Sequence, residues 1–302
     1  MDIDQIRSGA GNLLDLAYDN HKIAILIPIG LLLASVSVMG YSLFTTNHIV
    51  EKGISFSGGT SLQIRVPENV TVEQVKPVFE NATVRTMQTA DIKWMVVETK
   101  ETLTDEQVKP LLKKNDIDYI GKYNNAVNIR SLGSSVGEAF FQEAQMWGLV
   151  AVLIMSVVIF IAFRTLVPSL AVIFAAVTDI VVALGGMSLF GIEMTLGSMA
   201  GLLMLLGYSV DTDILLSTRV LKQRKRDLRE RIRSSILTGS TMTMAAVAAF
   251  TVLWAVSPST TLDQIASVIV IGLLADLPVT WLGNASILKW YVESDVSGGR
   301  WF

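Results

Sequence analysis

Four acids stand inside apolar stretches of this 302-residue chain: Asp179, Asp211, Asp213 and Asp276. Two of them share one stretch, "GYSVDTDILL", Gly207 to Leu216. A charge at the centre of a membrane-spanning helix costs about 2.5–3.5 kcal/mol on insertion scales, so acids placed there mark proton or ion pathways by default. A carboxyl in a low-dielectric site can load and release a proton, and one charge crossing 100 mV is worth about 2.3 kcal/mol. All four are therefore proton- or ion-relay candidates. Residues two apart on an α-helix are about 200° apart, which argues against a proton shared between Asp211 and Asp213 within one helix. Counting back from Asp211 by four, seven and eleven meets Gly207, Met204 and Ala200; from Asp213 it meets Ser209, Leu206 and Leu202. Small residues let helices approach closely. Asp211 is thus expected to point into a helix bundle, and Asp213 toward a cavity, a partner or the interface. Arg233 is the candidate basic partner, with Arg219 also near in sequence. The chain has no cysteine and two histidines, His21 and His48, which leaves no thiolate site and little prospect of an imidazole one. No nucleotide-binding loop or nucleophile–base set is visible. No metal, cofactor or catalytic residue is expected, and the chain reads as a non-enzyme.

Membrane helices must hold these acids. The chain is 51% apolar and 17% charged, a combination rare in soluble domains of this length. A span needs about 20 mostly apolar residues. Six segments qualify: Ile23–Phe44, Met146–Phe163, Val167–Leu189, Thr195–Leu216, Ile236–Val256 and Leu262–Leu288. Between the fourth and fifth, residues 217–235 hold eight Lys/Arg against two acids, whereas "FGIEM" and "SPSTTLDQ" hold no Lys or Arg. The positive-inside rule then puts the basic loop and both termini in the cytoplasm and residues 45–144 outside. The expected division is a cytoplasmic segment 1–22, a first helix 23–44, an exterior domain 45–144, helices two to six across 145–288, and a cytoplasmic tail 289–302. The first apolar run is too long for a signal-peptide core and is expected to stay as a span.

The exterior segment carries an internal repeat. "TVEQVKP" (Thr71–Pro77) returns as "TDEQVKP" (Thr104–Pro110), each with a threonine able to cap a helix in a capping box. Strand-like runs flank both copies: "TSLQIRV", "TVRTM", "IKWMVVET" and "IDYIGKY", with "AVNIRSL" as a further one. The order β-α-β-β-α-β predicts an α+β ferredoxin-like domain. Its 13 acids and 11 bases are mixed, so no nucleic-acid face is expected; the domain reads as a docking module. The sequons at Asn69 and Asn81 are possible glycosylation sites.

Three stretches taken together are family-specific. They are "GISFSGGT" (Gly53–Thr60), "SLAVIFAAVTDIVVALGGMSLFGIEMTL" (Ser169–Leu196) and "GYSVDTDILLSTRVLKQ" (Gly207–Gln223). From Ile23 to Leu288 the chain resembles the SecF family, whose members are the smaller subunit of the SecDF protein-export complex, within the resistance-nodulation-division superfamily. The motif residues are Gly58, Gly59, Thr60, Gly207, Tyr208 and Ser209. The resemblance implies a multi-pass protein of the cell membrane, embedded in lipid, with a SecD-like partner subunit, the Sec translocation channel and a translocating secretory polypeptide as its associates. It implies an export function driven by the proton motive force. Ser55 and Ser57 replace an acid and a threonine of the bacterial pattern, Thr178 a histidine, and Asp211-Thr212 an Asn-Asp pair. Arg233 lies about one residue from the family's fifth-span arginine. These departures resemble the archaeal branch. The rival readings are a small-solute or lipid exporter of the same superfamily, and a structural assembly subunit.

Overall fold

The structure is a computed structural model that describes residues 20–79, 82–89, 92–114, 127–222, 227–257 and 259–297. Among these are six helices long and apolar enough to cross a membrane. They are α1 (Leu26–Thr46), α5 (Ser134–Phe163), α6 (Leu166–Phe190), α7 (Leu196–Lys222), α8 (Leu228–Val256) and a sixth span made of α9 (Thr260–Pro278), a π-helical turn (Val279–Asn284) and α10 (Ala285–Ser297). Between α1 and α5 lie α2 (Ile54–Ser57), β1 (Gly59–Val66), α3 (Val72–Val75), β2 (Thr83–Thr89), β3 (Ile92–Thr99), α4 (Asp105–Lys114) and β4 (Val127–Leu132).

Most helices run past their apolar segments, because polar turns outside hydrocarbon still satisfy their backbone as helix. α5 begins twelve residues before the expected Met146, and α7 and α8 absorb much of the basic loop, which keeps only residues 223–227 between them. The centre of the bundle is α6, α7 and the sixth span; α1, α5 and α8 lie around it. α5 and α6 are joined at Arg164, whose left-handed backbone (φ 53°) caps α5 by donating its N–H to the Phe160 carbonyl. Gly197 and Gly201 bring α7 against α9, where a Cβ at either would lie 3.0 Å from a backbone oxygen of Thr261 or Ile265.

The inserted domain is a four-stranded antiparallel sheet of order β2-β3-β1-β4. With two intervening helices this is the ferredoxin-like arrangement predicted from the repeat. Leu62, Ile64 and Val66 of β1 turn to one face and form its core with Met95, Val97, Val75, Val108 and Leu112. Each repeat's capping threonine donates its N–H to a glutamine three residues on: Thr71 to Gln74 and Thr104 to Gln107, both at 3.0 Å. The fourth strand is the "VNIRSL" run; "IDYIGKY" and Asn81 lie outside the described residues.

The "GISFSGGT" stretch is the joint between domain and bundle. Gly58 and Gly59 adopt φ of +77° and +135°, a region that favours glycine. A Cβ on Gly58 would stand 2.6 Å from the Ser134 backbone at the start of α5. Phe56 is fully buried and meets Phe141 of α5 edge to face at 5.3 Å. Thr60 is a hydrogen-bond hub: its hydroxyl donates to the Glu101 carbonyl (2.8 Å), accepts from the Leu103 N–H (2.7 Å) and sits 3.1 Å from Ser131 Oγ. Thr60→Val keeps the shape and orphans the Leu103 amide. An orphaned buried donor costs about 1–3 kcal/mol, so Leu103 amide hydrogen exchange should quicken by roughly fivefold to a hundredfold; an unchanged rate would remove the hub role.

Candidate functional site

Asp179 on α6, Asp213 on α7 and Asp276 on α9 come together in the bundle, and none has exposed surface. Ser209 donates its hydroxyl to Asp179 Oδ2 at 2.5 Å. Asn284 donates from Nδ2 to Asp213 Oδ1 at 2.6 Å. Thr280 Oγ1 lies 2.8 Å from Asp276 Oδ1 and 3.1 Å from Asp213 Oδ1. Thr212 lies 3.3 Å from Asp276 Oδ2. The second oxygen of Asp179, Oδ1, is buried without a hydrogen-bond partner in the protein. A hydroxyl has one proton and two lone pairs. Thr280 can therefore donate to one carboxyl while accepting from the other, and so connects Asp213 to Asp276.

The sixth span departs from a regular α-helix where it carries these groups. Pro278 supplies no N–H and breaks the regular ladder, and the helix widens into the π turn that follows it, a feature frequent at functional sites. Asp276, Thr280 and Asn284 recur every four residues, so they share a face, directed at α7. All six residues of the π turn are buried.

The orientation of the α7 pair is the reverse of the sequence expectation. Asp213 is fully buried, whereas Asp211 is exposed on the bundle's flank. The Asp211 face continues through Gly207, where an added Cβ would meet nothing within 4 Å, and Met204, 41% exposed. The Asp213 face is Ser209, Leu206 and Leu202, all buried. In a membrane both the core face and the lipid face are apolar, so aliphatic side chains on the Asp213 side did not signal an outward surface. Arg233 is also outward: it is exposed, while Arg231 two residues earlier is buried and donates to the Val220 carbonyl. Arg219 is held by Ser234 and Thr238. Among the described residues, the acids' hydrogen-bond partners are hydroxyls and one amide, with no arginine or lysine among them. Of the Gly207–Ser209 motif, Ser209 enters the site; Gly207 and Tyr208 lie on the Asp211 flank, where Tyr208 packs on Phe250. Thr212, Thr280 and Asn284 were missed as site residues. The polar i, i+4, i+8 series through an apolar span was the signal for the last two.

A second polar region lies where the sheet meets the bundle. Backbone pairing of Gly53 and Glu51 with Met194 ties the end of the α1 linker to the α6–α7 loop, and Arg85 of β2 reaches Asp263 at 4.0 Å. Burial, and then the charge of Glu193, push the Glu98 carboxyl above its usual range against the opposing pull of Arg85. Glu193 is raised chiefly by burial and further by Glu51, while Arg85 and Lys100 oppose the shift. A raised carboxyl stabilises the docked state when protonated; that contribution is full below the ordinary pKa of 4.5 and is lost as pH rises through the raised value. Protection factors at the Gly53 and Met194 amides, taken after correction for the base-catalysed intrinsic exchange rate, should therefore fall from acid to neutral pH, and Glu98→Gln with Glu193→Gln should flatten that dependence. A dependence unaltered in the double variant would exclude these two groups.

Residues 113–294 match the family described as protein export membrane protein SecD/SecF, C-terminal. The chain is 35% identical to the protein-export membrane protein SecF of Methanocaldococcus jannaschii, over 90% of this chain and 96% of that protein. It is 36% identical to the SecF of Methanothermobacter thermautotrophicus, over 93% and 96%. Among solved structures it shares the fold of the translocon-associated SecDF from Thermus, with a TM-score of 0.70 at 21% identity, covering 92% of this chain and 39% of that one. It spans the same 39% of SecDF in a super-membrane-facing form, with a TM-score of 0.58 at 20% identity. The identities and the near-complete mutual coverage show that this multi-pass membrane chain belongs to the SecF family of protein-export membrane proteins.

Proposed function

We propose that this chain is the smaller half of a SecDF-type complex, that it assists protein translocation through the Sec channel, and that Asp179, Asp213 and Asp276 couple that work to the proton gradient. The observation that carries the coupling is the meeting of three fully buried carboxyls from three helices through hydroxyls that can pass a proton. Their cost argues against a purely structural lock. Three acids at roughly 2.5–3.5 kcal/mol each come to about 8–10 kcal/mol. Hydrogen bonds between membrane helices average about 0.6 kcal/mol, so the network returns only about 3 kcal/mol. Leucines would hold these helices more cheaply.

The Asp211 flank supports a partner of the SecD type. An acid facing lipid is costly, and the face made by Asp211, Gly207, Tyr208 and Met204 has the small and polar character of a helix-packing surface. In this reading that face is covered in the complex, the basic loop and both chain ends are cytoplasmic, and the sheet domain lies outside. The secretory polypeptide passes on the exterior side, the surrounding contact is lipid, and the subunit catalyses no covalent step.

In vesicles carrying the complex and the channel, Asp213→Asn and Asp276→Asn should each lower gradient-driven export at least tenfold while leaving the complex assembled. Asp211→Leu or Gly207→Trp should instead reduce co-purification of the SecD-like subunit. Full gradient-driven export by the Asp213→Asn, Asp276→Asn double variant would defeat the coupling, and lost assembly in that variant would favour the structural reading.

A further inference from the structure

A cleft of about 580 Å³ lies between α1 and α5, with α6 and α7 as its floor. That is the size of a small-molecule site, roughly 300–1,000 Å³. α1 and α5 each pack on α6 rather than on one another. Leu43 and Leu149, on the two walls, are 49% and 63% exposed, so the cleft is open along its side. Gly148 leaves a gap in the α5 wall, where an added Cβ would meet only the Met199 methyl at 3.8 Å. Leu184 of α6 with Leu202 and Leu206 of α7 belong to the floor. Gln145 to Val152 on α5, and Met199 to Leu206 on α7, are seven residues each, or about 10 Å of helix. That depth is most of one leaflet's half of a hydrocarbon core about 30 Å thick.

The end of the cleft nearest the sheet domain is roofed and polar. Residues 47–53 cross from the end of α1 to α2, which packs on α5, and they pair with Met194 on the way. Ile49 and Val50 of this linker line the cleft. A partner helix that crosses the whole bilayer cannot lie along a cleft closed at one end. Asn47, His48, Lys52 and Gln145 gather there. Lys52 Nζ sits 3.9 Å over the centre of the Phe141 ring and donates to Glu138 at 2.8 Å; an ammonium has three protons to give. Among the described residues no acid lines the cleft. Tyr41 on α1 and Trp147 on α5 are 74% and 61% exposed near this end, as aromatic residues are at a membrane–water interface. An apolar slot one leaflet deep, with a cation and side-chain amides at interface height, matches an amphiphile with a phosphate head.

We infer that this cleft is a binding site for one phospholipid of the leaflet on the sheet-domain side, with a hydrocarbon chain on Leu184, Leu202 and Leu206 and the phosphate at Lys52 and the neighbouring amides. The site stands apart from the proton-coupling reading, and its test reads lipid contact alone. The full chain, by itself and with its SecD-type partner, is reconstituted in vesicles containing phosphatidylglycerol with a diazirine on one chain. After illumination, labelled residues are located by peptide mass spectrometry. Label is expected on the floor leucines 184, 202 and 206, with and without the partner. Ile154 and Ile161, on the opposite face of α5 and 60% and 62% exposed, report ordinary surrounding lipid. Gly148→Phe puts a ring into the gap and should lower floor label at least fivefold while leaving Ile154 and Ile161 unchanged; Gly148→Ala should leave both. A diacylglycerol carrying the same diazirine chain, which lacks the phosphate, should label the floor at least threefold less. An unlabelled floor, equal floor label from the two lipids, or floor label lost when the partner is added would overturn the site, the last by making the cleft a subunit contact. If Gly148→Phe does not insert, the unaltered chain with the two lipids decides by the same outcomes.

Discussion

Three carboxyls removed from water set the terms for the rest of the bundle. Each must find donors within hydrogen-bonding distance, and those donors come from neighbouring helices: Ser209 of α7 for Asp179 of α6, Asn284 and Thr280 of the sixth span for Asp213. A shift of one turn along any of the three helices would leave a buried acid without a partner. The register of α6, α7 and the sixth span is thereby held, and the close approaches at Gly197, Gly201 and Gly272 are the packing that such a register needs. The π turn after Pro278 belongs to the same constraint, since it carries two of the donors.

The sheet domain is fastened to this core rather than hung from it. The Gly58–Gly59 backbone and Phe56 seat it on α5, Thr60 locks the sheet to the 101–103 turn, and Met194 pairs with the linker that follows α1. The linker and α2 thus touch both the start of α5 and the loop leading into α7, the helix that carries Asp213. A rearrangement of α7 or α9 at their domain ends has direct contacts through which to reach the sheet, including Arg85 with Asp263. These are the elements that a gradient-driven change would have to move.

Much of this was legible in the sequence. The six spans follow from apolar run length, and the ferredoxin-like order from two copies of one capped helix set between strand-like runs. Burial direction within a span was not legible. On α7 the small face, Gly207 and Ala200, was expected inside, and the aliphatic face, Leu202 and Leu206, outside; the bundle reverses them. In water a polar face identifies the exterior, but in lipid that contrast disappears, and a small residue serves a contact within the chain or one with a partner equally well. Arg233 misled for a related reason: sequence distance to the spans says nothing about which of several loop arginines turns inward, and Arg231 does. Asp276, Thr280 and Asn284 were readable as a series, although only the structure shows them facing Asp213.

The central claim is that the gradient changes the protonation of the Asp179–Asp213–Asp276 cluster. Infrared difference spectroscopy of the reconstituted complex, recorded with and without an imposed proton gradient, tests it most directly. The account predicts a protonated-carboxyl band that changes with the gradient, that is lost or shifted in Asp213→Asn, and that persists in Asp211→Asn. A spectrum in which no buried carboxyl responds to the gradient, or a response that survives replacement of all three acids, would contradict it.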